Sequence, residues 1–185
     1  MMYRPADENY ERVDALTPPV DRLPHRARYH IASGFLVPGD TVVDAACGTG
    51  YGALIMEARG PIDYLGVERD LSVLEVRPTP SRRFEAVDLE IWGGPPTPFD
   101  VAVIFETTEH LENPTALRDW TYRARRFVLV SVPIADVGNF NPFHRHNYRP
   151  ADILGLWQNL KRYAYFEQPN EITGMGTGIW VFEQW

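Results

Sequence analysis

The apolar residues of this chain change their spacing several times, and each change marks a switch between helix and strand. Over residues 25–36 the apolar positions Ala27, Ile31, Phe35 and Leu36 follow helical spacing, and Pro38-Gly39-Asp40 ends the run. Thr41 to Ala46 is a short buried-strand run entering the turn Asp44-Ala45-Ala46-Cys47-Gly48-Thr49-Gly50. A helix follows through Ala53-Leu54-Ile55-Met56 and stops at Gly60-Pro61. Further strands are predicted at Tyr64–Glu68, Phe84–Asp88, Asp100–Phe105 and Arg126–Ser131, the last closed by Pro133. Pro78 and Pro80 leave room only for a short helix between the second and third strands. Pro114–Arg123 and Ala151–Leu160 read as helices, the first with its proline early, where a missing N–H costs little. Tyr163–Phe166 and Ile179–Phe182 read as closing strands. Alternating strands and helices imply an α/β fold with a mainly parallel, doubly wound sheet. Residues 1–24, rich in proline and charge, read as an irregular arm, and 25–185 as a single domain.

Composition narrows the class without changing the fold. A chain of 185 residues with 44% hydrophobic and 23% charged residues is that of a soluble globular protein. Its longest apolar runs are strand-sized, so no membrane association is expected, and the N-terminus has no apolar core of a secretory signal. Cys47 stands alone, which forbids an internal disulfide and fits a cytoplasmic location. The net charge of −7 weighs against a large nucleic-acid footprint. The arginines at Arg82-Arg83, Arg123/Arg125/Arg126 and Arg145/Arg149 are expected to be solvated surface charges. Trp92, Trp120, Trp157, Trp180 and Trp185 have no common period and are expected mostly in the core.

In doubly wound sheets ligands lie beyond the carboxyl ends of the strands, and here those ends carry unusual chemistry. Strand one ends at Asp44 with Gly48-Thr49-Gly50 beyond it, strand two in Glu68, strand three in Asp88, and strand four runs into Glu106 and Glu109. Glycine lets the backbone approach a ligand closely and adopt positive φ. The helix that follows presents unpaired N–H groups. An acid ending strand two can accept from both ribose hydroxyls, each such bond contributing roughly 1.5–3 kcal/mol. A Gly-x-Gly alone is as often a structural turn, but an acid about 20 residues later points to a nucleoside. A dinucleotide fingerprint would need a third glycine three residues on; here Gly52 and then Ala53 follow Gly50. Asp44 would also repel a pyrophosphate, whereas it suits a cationic sulfonium amino acid. That charge argument favours S-adenosylmethionine over NAD.

The run Val42-Val43-Asp44-Ala45-Ala46-Cys47-Gly48-Thr49-Gly50-Tyr51-Gly52 closely resembles the first motif of class I S-adenosylmethionine-dependent methyltransferases. His25-Arg26-Ala27-Arg28-Tyr29 resembles the arginine-tyrosine helix that precedes that motif in one branch. Phe105-Glu106-Thr107-Thr108-Glu109-His110-Leu111 is similar to the motif after strand four, and Asn141-Pro142-Phe143-His144 with Tyr148-Arg149-Pro150 to a segment after strand five. That branch often modifies small molecules or glycans. The resemblance implies a Rossmann-like, seven-stranded sheet with an antiparallel last strand, and S-adenosylhomocysteine as product. It places Asp44, Ala46, Gly48, Thr49 and Gly50 at the amino-acid part of the cofactor and Glu68 at the ribose. Asp88 and Leu89 fall at the adenine, Arg28 and Tyr29 over the methionine carboxylate, and Glu106 at the cofactor's edge. The poor helix after strand two departs from the family pattern.

The acceptor is read from what is missing and what is near. The Asn/Asp-Pro-Pro-aromatic motif of exocyclic-amine DNA enzymes is replaced by Glu106-Thr107-Thr108-Glu109, and Cys47, in the cofactor turn, is no Pro-Cys nucleophile. An oxygen nucleophile on a small molecule or sugar is therefore expected. His110, His144 and His146 are candidate general bases, since imidazole titrates near neutrality. Glu106, Glu109, His110 and His144, with His146 as an alternative, could also hold Mg2+ or another divalent metal, an arrangement resembling small-RNA 2'-O-methyltransferases and ubiquinone-pathway O-methyltransferases. The competing reading makes Glu109-His110 a helix-start feature of metal-free relatives. A nicotinamide oxidoreductase, an RNA 2'-O-methyltransferase and a non-catalytic, cofactor-binding scaffold remain as alternatives.

Overall fold

The computed structural model describes residues 19–134, 143–169 and 176–184. Its strands are β1 (Thr41–Ala45), β2 (Asp63–Glu68), β3 (Arg82–Ala86), β4 (Phe99–Phe105), β5 (Ala124–Ile134), β6 (Lys161–Pro169) and β7 (Gly176–Glu183). The helices are α1 (Pro19–Ser33), α2 (Tyr51–Glu57), α3 (Thr115–Thr121) and α4 (Pro150–Leu156). One seven-stranded sheet runs β3-β2-β1-β4-β5-β7-β6. All neighbouring pairs from β3 to β5 are parallel, and β7 inserts antiparallel between β5 and β6. The chain steps outward from β1 to β3 and then returns to β4 on the other side of β1. That reversal opens a crevice at the carboxyl ends of β1 and β4, where such sheets bind ligands.

Strand pleating sends alternate residues to opposite faces. Val43, Ala45, Ala102, Ile104, Val128 and Val130 pack with Leu117 and Trp120 of α3, Ile153 of α4 and Trp157 at its end. Val42, Val101, Val103 and Leu129 pack the other way, against Tyr29 and Ala32 of α1 and Ala53 and Met56 of α2. Trp120, Trp157 and Trp180 are fully buried, as expected for core tryptophans, and Trp92 is half-buried against Trp120. Trp157 satisfies its indole by donating Nε1–H to Thr121 Oγ1 at 3.0 Å. Trp185 lies outside the described residues.

Several expectations need correction. Residues 19–24, expected in the irregular arm, are the first turns of α1, which ends at Ser33 rather than Leu36. Proline at the first helical position is pre-shaped for a helix; Pro24 sits inside, where its carbonyl accepts from Gln168 Nε2 at 3.2 Å. β3 starts at Arg82 and ends at Ala86, so Asp88 lies in the turn beyond it. Pro133 does not close β5, which continues to Ile134. Pairing with β4 ends at Ser131, so at Pro133 one edge of β5 has no neighbouring strand and a proline is tolerated. The arginine clusters are mostly exposed, as expected, and five of these arginines also stand beside acids. Arg82 pairs with Glu57, Arg83 with Asp63, Arg125 with Asp100, Arg126 with Asp40 and Arg145 with Glu112. Each lies beside an acid from another part of the chain, which the linear sequence conceals.

Candidate functional site

The turn after β1 is built from alternate left-handed positions. Ala46, Gly48 and Gly50 have φ of 55°, 56° and 83°. Only glycine takes such angles without strain, so Ala46 is held there by its surroundings. Cys47 N–H donates to Val67 O at 3.1 Å and Gly50 N–H to Cys47 O at 3.0 Å, tying the turn to β2 and to itself. Glu68 grips it from the end of β2. Its Oε2 accepts Gly48 N–H at 3.0 Å and its Oε1 accepts Arg69 N–H at 2.8 Å. A Cβ on Gly48 would meet nothing within 4 Å, so this glycine faces open space. A Cβ on Gly50 would come within 3.1 Å of the Phe84 ring. Thr49 is buried, and its carbonyl accepts Glu75 N–H at 3.0 Å. Between β2 and β3 the helix is short, as expected, a single 3-10 turn at Leu71–Val73, and the segment after it is tied to the glycine turn by that bond.

Gly52 has a function the sequence left open. A Cβ there would sit 2.3 Å from a ring carbon of Tyr29, so this glycine admits α1 against α2 rather than contacting a phosphate. Tyr29 lies edge-on to Tyr51 and Phe105, with ring centroids 5.3 and 5.2 Å away. Its hydroxyl donates to Asp44 Oδ1 at 3.4 Å, while Tyr64 donates to Asp44 Oδ2 at 2.7 Å. Asp44 is wholly buried, and that burial pushes its carboxyl up to about 7 against the lowering effect of the two phenols. Glu68 nearby adds to the rise.

Beside this loop Arg28 is 2% exposed, and its Nε and Nη1 lack a hydrogen-bond acceptor among the described residues. Nη1 lies 3.2 Å from Glu106 Oε1, an ion pair without hydrogen-bond geometry. Glu106 itself holds φ of 50° and accepts Ser131 Oγ–H at 2.9 Å. A buried guanidinium this poorly satisfied favours an added anion.

Farther along the edge, Glu109, His110 and His144 bring one ligand atom each to within 4.8 Å of one another. Glu106 is not among them, which corrects its expected place in a metal set: its carboxylate is turned to Arg28 and Ser131. Glu109 is 1% exposed and lies with His110 in the 3-10 turn Thr108–His110. Its carbonyl accepts Arg145 N–H at 2.8 Å and His146 N–H at 3.2 Å, joining the turn to the segment before α4. His110 Nδ1 lies 3.1 Å from Phe143 O, and its ring is edge-on to His144 at 4.8 Å. A proton on Nδ1, donated to that carbonyl, makes Nε2 the basic nitrogen. His146 stands apart, tilted against Tyr148 at 5.6 Å, with a buried Nε2 that has no hydrogen-bond partner among the described residues.

Asp88 is exposed in the turn after β3, where its Oδ1 accepts Glu90 N–H at 3.0 Å, and Leu89 is buried beneath it. Asn141 and Pro142 lie outside the described residues. Tyr64 and Ser131 were missed, because each occupies an ordinary apolar-strand context. No local signal distinguishes them from packing residues.

A family profile described as a methyltransferase domain matches residues 15–179. Comparison with curated proteins gives no match. The fold is similar to that of magnesium protoporphyrin IX methyltransferase from Synechocystis PCC 6803 with bound SAH, with 16% identity and a TM-score of 0.73 over 96% of this chain and 91% of that one. It is also similar to a putative S-adenosylmethionine-dependent methyltransferase from Listeria monocytogenes, with 12% identity and a TM-score of 0.69 over 87% of this chain and 100% of that one. The cyclase SpnF has 13% identity and a TM-score of 0.72 over 86% of this chain and 81% of that one. At these identities the likeness establishes the fold alone.

Proposed function

The chain belongs to the class I S-adenosylmethionine-dependent methyltransferases, and from that premise we propose that it methylates a hydroxyl of a small molecule or sugar. The observation that carries the cofactor half is Glu68 holding Gly48 N–H at 3.0 Å. One carboxylate both shapes the turn and stands where ribose hydroxyls can donate to it. Gly48, facing open space, leaves the approach clear for the methionine part, with Ala46, Thr49 and Gly50 shaping the walls. Arg28, short of acceptors, takes the methionine carboxylate. Asp88 and Leu89 border the adenine. Calorimetric titration with S-adenosylhomocysteine is the test: binding near the micromolar range, about −8 kcal/mol, is expected. Binding of NAD instead would contradict the reading.

Methyl transfer requires an acceptor oxygen in line with the methyl–sulfur bond. The oxygen's lone pair forms the new bond to carbon, the carbon–sulfur bond breaks toward sulfur, and the hydroxyl proton must leave. His110 or His144 is suited to take that proton, with Glu109 stabilising the imidazolium that results. The same three side chains also fit a divalent cation, since one carboxylate and two imidazoles suit Mn2+ better than the oxygen-seeking Mg2+. When bound, such an ion would acidify the hydroxyl. Loss of activity in EDTA and its return with Mn2+ or Mg2+ would support the ion, and full activity in EDTA would remove it.

RNA 2'-O-methylation would use this cluster too. The net charge of −7 and the pairing of five arginines with acids weigh against it. A scaffold that binds cofactor without turnover is distinguished by whether labelled methyl ever reaches an acceptor. No helix among the described residues is long and apolar enough to cross a membrane, and the single buried Cys47 supports a cytoplasmic location.

A further inference from the structure

Asp44 is the acid that opens the glycine turn, yet no part of it reaches the surface. Its two oxygens are taken from opposite sides. Tyr64, on β2, donates to Oδ2 at 2.7 Å, and Tyr29, on α1, donates to Oδ1 at 3.4 Å. The carboxylate therefore links three elements, β1, β2 and α1, at the start of the glycine turn. Tyr29 is the longer and weaker bond, and its ring is seated on Gly52, where even a methyl group would collide. Tyr29 is adjacent to Arg28, so fixing one fixes the backbone that aims the other.

We infer that Tyr64 is a positioning residue of the cofactor site, anchoring Asp44 so that Asp44 in turn fastens Tyr29 and α1 over the glycine turn. The inference rests on the cofactor reading above for its ligand, but the clamp itself stands on the geometry of the protein alone. Tyr64 also stands beside the Cys47 thiol, but burial raises that thiol far out of the neutral range, so a pH-dependent effect of Tyr64 near neutrality runs through Asp44.

The clamp has a distinctive pH signature. The groups around Asp44 are Tyr29 from α1, Cys47 in the turn, Tyr51 from α2, and Tyr64 and Glu68 from β2. Arg28, one residue before Tyr29 in α1, faces Tyr51. Burial raises the Asp44 carboxyl to about 7, and the phenols hold it from rising further. A carboxyl raised above its unfolded range gives stability that is present at acid pH and lost as pH climbs through that value. Removing the Tyr64 hydroxyl removes a stabiliser of the anion, so the loss should extend to higher pH. Cofactor binding should move in the same direction, because the anion attracts the cationic amino group of the ligand.

The test uses Tyr64→Phe, which keeps the ring, with Asp44→Asn as the control that cannot ionise. Each is titrated with S-adenosylhomocysteine from pH 5.5 to 9, and each is unfolded thermally without ligand over the same range. In the wild type, affinity should fall as pH drops through about 7. In Tyr64→Phe the midpoint should rise by roughly one pH unit, leaving binding several-fold weaker at pH 7 and within about twofold of wild type at pH 9. Asp44→Asn should lose this transition in both measurements. Superimposable wild-type and Tyr64→Phe profiles overturn the clamp, even if the variant is less stable by a constant amount. If the wild type binds no S-adenosylhomocysteine, the cofactor reading and Tyr64's part in it fall together, while the ligand-free unfolding profiles still decide whether Tyr64 controls Asp44.

Discussion

The two halves of the sheet's carboxyl edge are assembled over very different reaches of chain. On the cofactor side the turn closes on itself, Gly50 N–H to Cys47 O at 3.0 Å, and is gripped by Glu68 just 20 residues on. On the side of the histidine cluster, proposed to face the acceptor, His110 meets Phe143 O across 33 residues, and Glu109 O holds the backbone of Arg145 and His146. The first half rests on backbone geometry that only certain residues can adopt, notably Gly48 and Gly50 at positive φ. The second rests on contacts between segments far apart in the chain, made to the backbone carbonyls of Glu109 and Phe143. A fixed donor site beside a changeable acceptor site is how one fold serves many substrates.

Substitutions should separate the halves sharply. The largest effect is expected on the acceptor side. Glu109→Gln or His144→Ala should cut methyl transfer by about 10²–10⁴-fold in a panel of phenolic, aliphatic and sugar hydroxyls. Affinity for S-adenosylhomocysteine should stay within about twofold, since neither residue borders the glycine turn. A parallel loss of cofactor binding would mean that the halves are one structural unit. Next comes Gly52→Ala, which drives a methyl group into the Tyr29 ring. It should cost about 1–3 kcal/mol of stability, read by chemical denaturation, and weaken cofactor binding with it. An unchanged midpoint would show that α1 yields easily and that Tyr29 is not held. The smallest effect is expected for Arg145→Ala. Its partner Glu112 is 72% exposed at the side chain, so the loss should be under about 0.5 kcal/mol. A larger fall in denaturation midpoint would make the histidine-bearing segment depend on that pair.

The same contrast governs what the sequence made legible. The sheet, its order of elements and the cofactor turn could be read because their signals are local. Strand-length apolar runs sit between helical ones, and Asp44-Ala45-Ala46-Cys47-Gly48-Thr49-Gly50 carries its conformation in its glycines. Glu68 was legible because strand ends are visible and the spacing is set by one strand–helix–strand unit. Tyr64 was not, since an aromatic residue in a buried strand has no mark that tells a packing ring from one aimed at a carboxylate. Gly52 was visible as a glycine, but its reason lies in Tyr29, on another element. Glu106 was misplaced among the metal ligands because its neighbours in sequence are not its neighbours in space: left-handed at the end of β4, it turns to Arg28 and Ser131. The arginines are mostly exposed, as their sequence context suggests; what it hides is that five of them stand beside acids distant in the chain.

S-adenosylmethionine is proposed to occupy the space in front of Gly48. Asparagine tolerates the left-handed region better than most residues, so Gly48→Asn fills that space with little backbone strain. Titrating wild type and Gly48→Asn with S-adenosylhomocysteine, with thermal unfolding as the folding control, tests the claim directly. Micromolar binding to the wild type, about −8 kcal/mol, is expected, with a loss of at least about 100-fold in a variant that still folds. Equal binding by the folded variant would place the cofactor elsewhere.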